Sequence, residues 1–350
     1  MMAAAMPVKL TIVIPSHRRI TDVLPLLRSL KAQRLNPESL QQIEVLWVVN
    51  GVAFGRCQTL FDEMQNSMWR NHFQVIYQDQ AHANLARNRG ARESAGENLF
   101  FLDDDLEFPS IFFLKRLLEW IDDQSPTQNW AVGGIYSLGR HTRAGRAYYK
   151  LSRRFWSSRT QETFLLAGFM ILPRRLFFEI GEFPQTRAWG GSELMINDEL
   201  KRRGVTVTRD DRLHLIHHLP ITYRELIRKG LKQGEGARLM RDRDVGHVLD
   251  PLFNNWPTRL YLLAFHMGLR SPERVRQLLL AWPLLLKFHL LVALVLHGLL
   301  RPFGRRSTLR YKIAWHISAW VRRAQGKSPE PELRRWAWVF VPRLILEQQS

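Results

Sequence analysis

A single cysteine, Cys57, in 350 residues excludes an internal disulfide and fits a reducing compartment or indifference to redox. The N-terminus, MMAAAMPVKL, lacks a charged segment followed by a long apolar core. No signal peptide is therefore expected, and the bulk of the chain is read as cytoplasmic. No internal repeat or long low-complexity tract interrupts the sequence. Acid is scarce: 32 Asp and Glu face 51 Lys and Arg, for a net charge of +19. At 45% hydrophobic and 24% charged, the composition excludes a disordered chain and leaves room for one large domain plus an extension, or two modest domains.

The basic surplus is uneven. Residues 1–218 hold 28 Lys and Arg against 23 Asp and Glu, whereas 219–350 hold 23 against 9. Such asymmetry points to a polyanionic partner for the C-terminal part, either nucleic acid or an anionic membrane face.

Against this shortage of acid, Asp103, Asp104 and Asp105 stand in a row at the end of the apolar run NLFFL. Three adjacent carboxylates repel one another, and burying them unpaired costs several kcal/mol or more. Either they form an ordinary acidic turn, or they serve a cation.

The pattern around them alternates short apolar strands with helical periodicity. Strands are expected at 10–15, 43–50, 73–77 and 98–102, and helices at 21–33, 56–69 and 82–96, the last ending at Gly96. Alternation of this kind implies parallel βαβ units in an open α/β sheet, which binds ligands beyond the carboxyl ends of its strands. PSHRR (15–19), Asn50–Gly51 and the aspartates therefore fall on one edge. Beyond them, AVGGIYSL reads as a strand, 139–160 as an Arg-rich stretch without clear periodicity, and FLLAGFMILP (164–173) as one apolar strand. RRLFFEIGEF suggests a short helix ending at Gly181, and WGGSELMINDELKRRG a helix ended by Gly204. VTVT and LHLIHH (213–218) close a domain spanning 8–218.

In this order, IVIPSHRR, LWVVNG, ANLARNRG, FFLDDDLEFP, LLAGFMILPRRLFFEIGEF and WGGSELMINDELKRRG resemble the family 2 glycosyltransferases. The resemblance covers about 60% of the chain. It implies the GT-A fold, an open mixed sheet flanked by helices, and a nucleotide-sugar donor, expected to be a UDP- or dTDP-sugar. The leaving diphosphate gains negative charge as the glycosidic bond breaks, and carboxylates suit the Mn²⁺ or Mg²⁺ that offsets it. The D-x-D pattern maps onto Asp103, near ribose and metal, and Asp105, the metal ligand. Asp104, between them, is grouped with the nucleotide-sugar contacts.

By the same resemblance, Pro15, Ser16 and His17 line the base pocket, with Arg19 either there or at the surface. Asn50 stands where the family usually carries an aspartate that accepts a hydrogen bond from a pyrimidine. Arg87, in the A-R-N-x-G segment, suits the base or phosphate; a surface salt bridge is the alternative. Glu193 falls at the position of the general base, with Ser192 replacing the acid before it. The rival reading is a helix-start carboxylate stabilised by the helix dipole. Gly190 and Gly191 allow the backbone close to the sugar, and Trp189 either stacks on the acceptor or fills core. His217, with His218 as the second choice, corresponds to the family's metal-shell histidine.

The C-terminal region, 219–350, starts as a basic helix interrupted by Gly230 and Gly234, which the resemblance allows to close over the donor. Residues 278–300 are long enough to span a bilayer yet contain Pro283, Lys287, His289 and His297 between basic flanks. Spanning would put one positive flank outside. Helices lying in or dipping into the cytoplasmic leaflet fit better, with Trp256, Trp282, Trp315, Trp320, Trp336 and Trp338 near the interface. A transmembrane span and a soluble helical core remain the alternatives. Nucleic acid is disfavoured, because a nucleic-acid binder needs no 23-residue greasy stretch. The expected activity is inverting transfer to a lipid-linked or other glycan acceptor at the cytoplasmic membrane face. Transfer to a protein or peptide, or a catalytically dead binding protein, are the rivals.

Overall fold

The computed structural model describes residues 7–17, 20–51, 58–125, 128–157, 164–185, 191–239 and 256–270. The chain divides into two compact units, Met1–Pro272 and Glu273–Ser350, and every described residue belongs to the first. The apolar run 278–300 and the five tryptophans beyond residue 272 therefore lie outside the described residues, as do Arg19, Trp189 and Gly190. Among the described residues no helix is long and apolar enough to cross a membrane.

The strands are β1 (Leu10–His17), β2 (Ile43–Asn50), β3 (Phe73–Gln78), β4 (Asn98–Leu102), β5 (Leu106–Glu107), β6 (Trp130–His141), β7 (Phe169–Pro173) and β8 (Thr206–Leu219). The helices are α1 (Ile20–Lys31), α2 (Pro37–Gln41), α3 (Gln58–Gln65), α4 (Ala83–Glu93), α5 (Phe113–Asp122), α6 (Arg143–Ser157), α7 (Arg174–Glu179), α8 (Gly191–Arg202), α9 (Tyr223–Leu239) and α10 (Trp256–Arg270). One mixed sheet runs β3-β2-β1-β4-β7-β6-β8-β5, with β1 to β4 parallel and β7 antiparallel to β4.

β1, β2 and β4 are buried almost throughout because helices cover both faces, whereas the edge strand β3 exposes Gln74. Ile12, Ile14, Trp47 and Phe100 point into one core, shared with α1, α3 and α5. Val13, Leu46, Val48 and Phe101 point into the other, shared with α4, α7 and α8. α4 lies so close to β1 that a Cβ on Gly90 would fall 2.4 Å from Val13, so Gly90 serves packing. That helix ends at Glu93, short of Gly96, whose N–H donates to the Thr11 hydroxyl at 2.9 Å.

Only three residues, the aspartates, separate β4 from β5, yet three strands lie between them in the sheet order. The step from Leu102 to Leu106 spans at most ~14 Å, whereas four strand spacings on a flat sheet need ~19 Å. The sheet must therefore curl and bring β8 toward the end of β4. Register breaks between β6 and β8, at Gly133/Ile135 and Leu138/His141, are of the kind that bend strands.

Three elements differ from the sequence expectation. Residues 143–157 form α6, because Ala144, Tyr148 and Leu151 make an apolar stripe that packs with α9 and α10. The run 164–173 is a strand only from Phe169; Leu165 and Ala167 are buried in a loop against α8 instead. α9 runs unbroken through Gly230 and Gly234. A Cβ on Gly230 would meet the Tyr261 carbonyl at 2.7 Å, so this glycine admits α10 rather than breaking the helix.

Candidate active site

The carboxyl ends of β1 and β2 form a polar corner. Ser16 is buried; its hydroxyl accepts from Trp47 Nε1 at 2.8 Å, and its carbonyl accepts from Asn50 Nδ2 at 2.6 Å. That bond fixes the orientation of the Asn50 amide, and its Oδ1 is buried without a hydrogen-bond partner. His17 Nδ1 lies 2.9 Å from the Asn50 carbonyl. A carbonyl only accepts, so Nδ1 carries the proton and Nε2 is left as an acceptor. Pro15 sits in β1 opposite Val48. Gly51 turns the chain at φ +68°, a conformation glycine adopts without strain.

Next to this corner, α4 presents Arg87 from a buried position. Its guanidinium donates to Asp103 Oδ1 at 2.5 Å and Asn84 Oδ1 at 3.2 Å, and lies over the Phe183 ring at 5.4 Å. Asn88, one residue on, donates to the Phe183 carbonyl at 2.8 Å and accepts from its N–H at 3.0 Å. The A-R-N segment thus holds one carboxylate with Arg87 and one backbone segment with Asn88.

Asp103 is held from the other side by the turn before β7. Its N–H donates to the Gly168 carbonyl at 3.1 Å, and a Cβ on Gly168 would fall 2.1 Å from Asp103 Oδ2. The neighbouring Ala167 N–H donates to Glu193 Oε1 at 3.1 Å. One dipeptide therefore connects the first aspartate with the carboxylate at the start of α8. Asn197, one turn along α8, fixes that loop by donating to the Leu165 carbonyl and accepting from its N–H, each at 2.8 Å. Burial pushes the Glu193 carboxyl above its ordinary value, opposed by the Arg87 charge and the Ala167 hydrogen bond. Gly191 opens the helix, and Ser192 is buried.

Asp105 faces β8. Its Oδ2 lies 3.3 Å from His217 Nε2, and its carbonyl accepts from the His218 N–H at 2.9 Å. Desolvation pushes the Asp105 carboxyl up, but the charge and hydrogen bond of His217, with the charge of Lys229, outweigh it and hold it below the ordinary value. Asp104 is the turn residue between the two and is partly buried.

The two histidines do different work. His218 Nδ1 accepts from the Arg140 N–H at 3.0 Å, so Nε2 carries the proton and donates to Glu107 at 2.7 Å. Gly139 makes room for this ring, since a Cβ there would fall 2.5 Å from Nδ1. With both nitrogens engaged, His218 ties β6, β8 and β5 together, and its neighbour His217 faces Asp105.

The family 2 glycosyl transferase model matches residues 11–180, which include every element described so far up to α7. This stretch is a family 2 glycosyltransferase domain. The GT-A fold is shared with PcManGT, a mannosyltransferase from Pyrobaculum calidifontis solved with GDP-Man and Mn²⁺. The two are 18% identical with a TM-score of 0.52, over 93% of this chain and 91% of that one. Residues 1–349 of TarS from S. aureus align at 14% identity and a TM-score of 0.48, over 77% and 74% of the two chains. No curated protein sequence matches.

Within the family 2 domain and the strand that follows it, the donor set fits a hard divalent cation only in part. Among the described residues, no group of three or more His, Cys, Asp and Glu side chains converges to hold a metal. Asp105 and His217 bring one carboxylate oxygen and one imidazole nitrogen together, whereas Asp103 is engaged by Arg87. Two protein ligands with the remainder from substrate phosphate and water is the usual arrangement for Mg²⁺, and the imidazole suits Mn²⁺.

Sequence reasoning missed three residues. Tyr136 on β6 packs its ring on His217 at 5.2 Å and Phe169 at 5.7 Å. Burial and the charges of Asp103, Asp105 and Glu193 raise its hydroxyl well above the ordinary tyrosine value, so it stays a proton donor. Asn197 and Lys229 act from α8 and α9. All three depend on long-range pairing that no local motif signals.

Proposed function

We propose that this glycosyltransferase moves a sugar from a nucleotide-diphosphate donor to a hydroxyl of a membrane-held, lipid-linked acceptor, inverting the anomeric centre. The observation that carries the reading is the Ala167–Gly168 dipeptide, which places the raised Glu193 carboxylate beside Asp103. Glu193 takes the acceptor proton while the acceptor oxygen bonds to the anomeric carbon. The bond to the diphosphate breaks on the opposite side, and the nucleoside diphosphate leaves with the electron pair. Asp105 and His217 would hold a Mn²⁺ or Mg²⁺ ion, which would supply positive charge to offset that of the leaving diphosphate. The free Asn50 Oδ1 suits a base with a ring N–H, such as uracil, thymine or guanine. Arg87 holds Asp103 toward the donor and adds positive charge near it.

A thermal-shift screen of nucleoside diphosphates and nucleotide sugars with Mn²⁺ tests this function. A rise in melting temperature confined to donors of one base is expected, and no rise with any nucleotide would refute the donor reading.

The membrane part of the proposal rests on the basic surplus and apolar run of the C-terminal region. The full chain is expected to float with vesicles of anionic phospholipid and a chain ending at Pro272 to float far less. Equal flotation would place the contact elsewhere.

A further inference from the structure

The loop that delivers the Ala167 N–H to Glu193 is anchored at its two ends by different means. At its far end it joins the sheet. Phe169 pairs with Leu102, and the Gly168 carbonyl continues that ladder by accepting from the Asp103 N–H at 3.1 Å. In between, the chain reverses in a tight turn closed by the Phe169 N–H, which donates to the Leu166 carbonyl at 3.0 Å. At the near end, side chains take the place of a ladder. Arg209 of β8 donates to the Phe164 carbonyl at 2.7 Å, and the Asn197 side chain takes both backbone groups of Leu165.

The Asn197 amide is fully engaged. Its oxygen accepts from the Leu165 N–H at 2.8 Å, and its nitrogen donates to the Leu165 carbonyl at 2.8 Å and to the Glu193 carbonyl at 2.7 Å. An oxygen against an N–H, and a nitrogen between two carbonyls, fit in one orientation only. The loop in turn gives its Ala167 N–H to the Glu193 carboxylate at 3.1 Å. A closed circuit results: from Asn197 to Leu165, along the loop to Ala167, and back to Glu193 one turn earlier on the same helix. Leu165 and Ala167 are each 1% exposed, so bulk water does not replace a bond lost here.

Resting on the glycosyltransferase reading with Glu193 as its base, we propose that Asn197 is the positioning residue for that base. By fixing Leu165 to α8, it sets where the Ala167 N–H meets the Glu193 carboxylate, and so how that carboxylate is presented to the acceptor hydroxyl. A general base must lie within hydrogen-bond reach of the proton it takes. Misplacing a reacting group by about 1 Å costs ~10²-fold in rate. Donor binding does not run through this circuit, because Asp103 is held by Arg87 and by the ladder to Gly168.

The test is a double-mutant cycle in the full chain, with Asn197→Ala and Glu193→Gln made singly and together. Rates of nucleoside diphosphate release are measured with UDP-, dTDP- and GDP-sugars, and affinities for UDP, dTDP and GDP with Mn²⁺ are taken on the same proteins. Asn197→Ala is expected to lower kcat by about tenfold or more, with nucleoside diphosphate affinity within about twofold of wild type. In the Glu193→Gln background the same substitution is expected to change the residual rate by less than about twofold, because the group it positions is gone. Asn197→Gln, which keeps the amide but moves it by one methylene, should give the same pattern and serves if the alanine variant does not fold. An unchanged kcat, equal losses in both backgrounds, or a parallel loss of nucleotide affinity would make Asn197 a residue of the fold alone and overturn the proposal. A wild-type protein that releases nucleoside diphosphate from no donor would instead overturn the glycosyltransferase reading, and the role of Asn197 with it.

Discussion

Replacing Glu193 by Gln is expected to abolish turnover while donor binding survives. The amide keeps the size of the side chain and can still accept the Ala167 hydrogen bond, so the loop and α8 stay in register. It cannot take a proton from the acceptor hydroxyl, and a positioned general base contributes about 10²–10⁴-fold. Initial rates and nucleotide titrations check the two halves of this expectation. An unchanged kcat would move the base to another residue.

The raised Glu193 carboxyl adds two pH signatures. As a base it works only when ionised, so kcat should fall on acidification at a pH above that of an ordinary glutamate. For stability the sign is opposite. A carboxyl whose folded pKa exceeds its unfolded value stabilises the fold fully below the unfolded pKa, and that contribution is lost as pH rises through the folded pKa. At pH values where it is ionised, Glu193 is thus a burden on the fold. Glu193→Gln should melt at or above the wild-type temperature there, with the difference shrinking in acid. A variant that is inactive yet no less stable is what a site optimised for chemistry gives.

Asp105→Asn is the second large effect. The amide keeps the shape of the turn but loses the charge that faces His217 and would hold a cation. Stabilisation of a developing charge by one such electrostatic contact is typically ~10²–10³ in kcat. Activity should fall by at least that much, and added Mn²⁺ should no longer restore it. Titration of the free ion by electron paramagnetic resonance gives a readout independent of turnover: Mn²⁺ affinity in the presence of nucleoside diphosphate should drop by about tenfold or more. Asp103→Asn should act differently, because Asp103 is paired with Arg87 in this structure.

Much of the framework was legible because it is local. β1, β2 and β4 are largely apolar runs whose polar ends face one edge, and the order of six short motifs pointed to the family. The C-terminal layer was not legible in the same way. α6 carries arginines at most exposed positions, which hide the Ala144–Tyr148–Leu151 stripe until α9 and α10 are seen against it. The run 164–173 looked like one strand because apolar residues in a loop buried by α8 have the same composition as a strand. Asn197, not hydropathy, decides where that loop lies.

The site divides along the same line. Asp103, Asp105, Arg87, Glu193 and His217 could be named through the resemblance to the family's motifs, and the structure pairs Asp103 with Arg87, faces Asp105 with His217 and sets Glu193 against the Ala167 N–H. What spacing could not supply is the connection among them. Gly168 makes contact with Asp103 only after β7 pairs with β4, and Ala167 meets Glu193 only after α8 packs. The difference between His217 and His218 needed the β6 register break, which offers the Arg140 N–H to one of them.

The account stands or falls on nucleoside diphosphate release by the full chain, measured with a panel of UDP-, dTDP- and GDP-sugars and membrane lipid as acceptor. Release from donors of one base is expected, supported by Mn²⁺ or Mg²⁺, stopped by a chelator and reduced about 10²-fold or more in Glu193→Gln. Release that persists at the wild-type rate in Glu193→Gln and in chelator, or that no donor in the panel elicits, would contradict it.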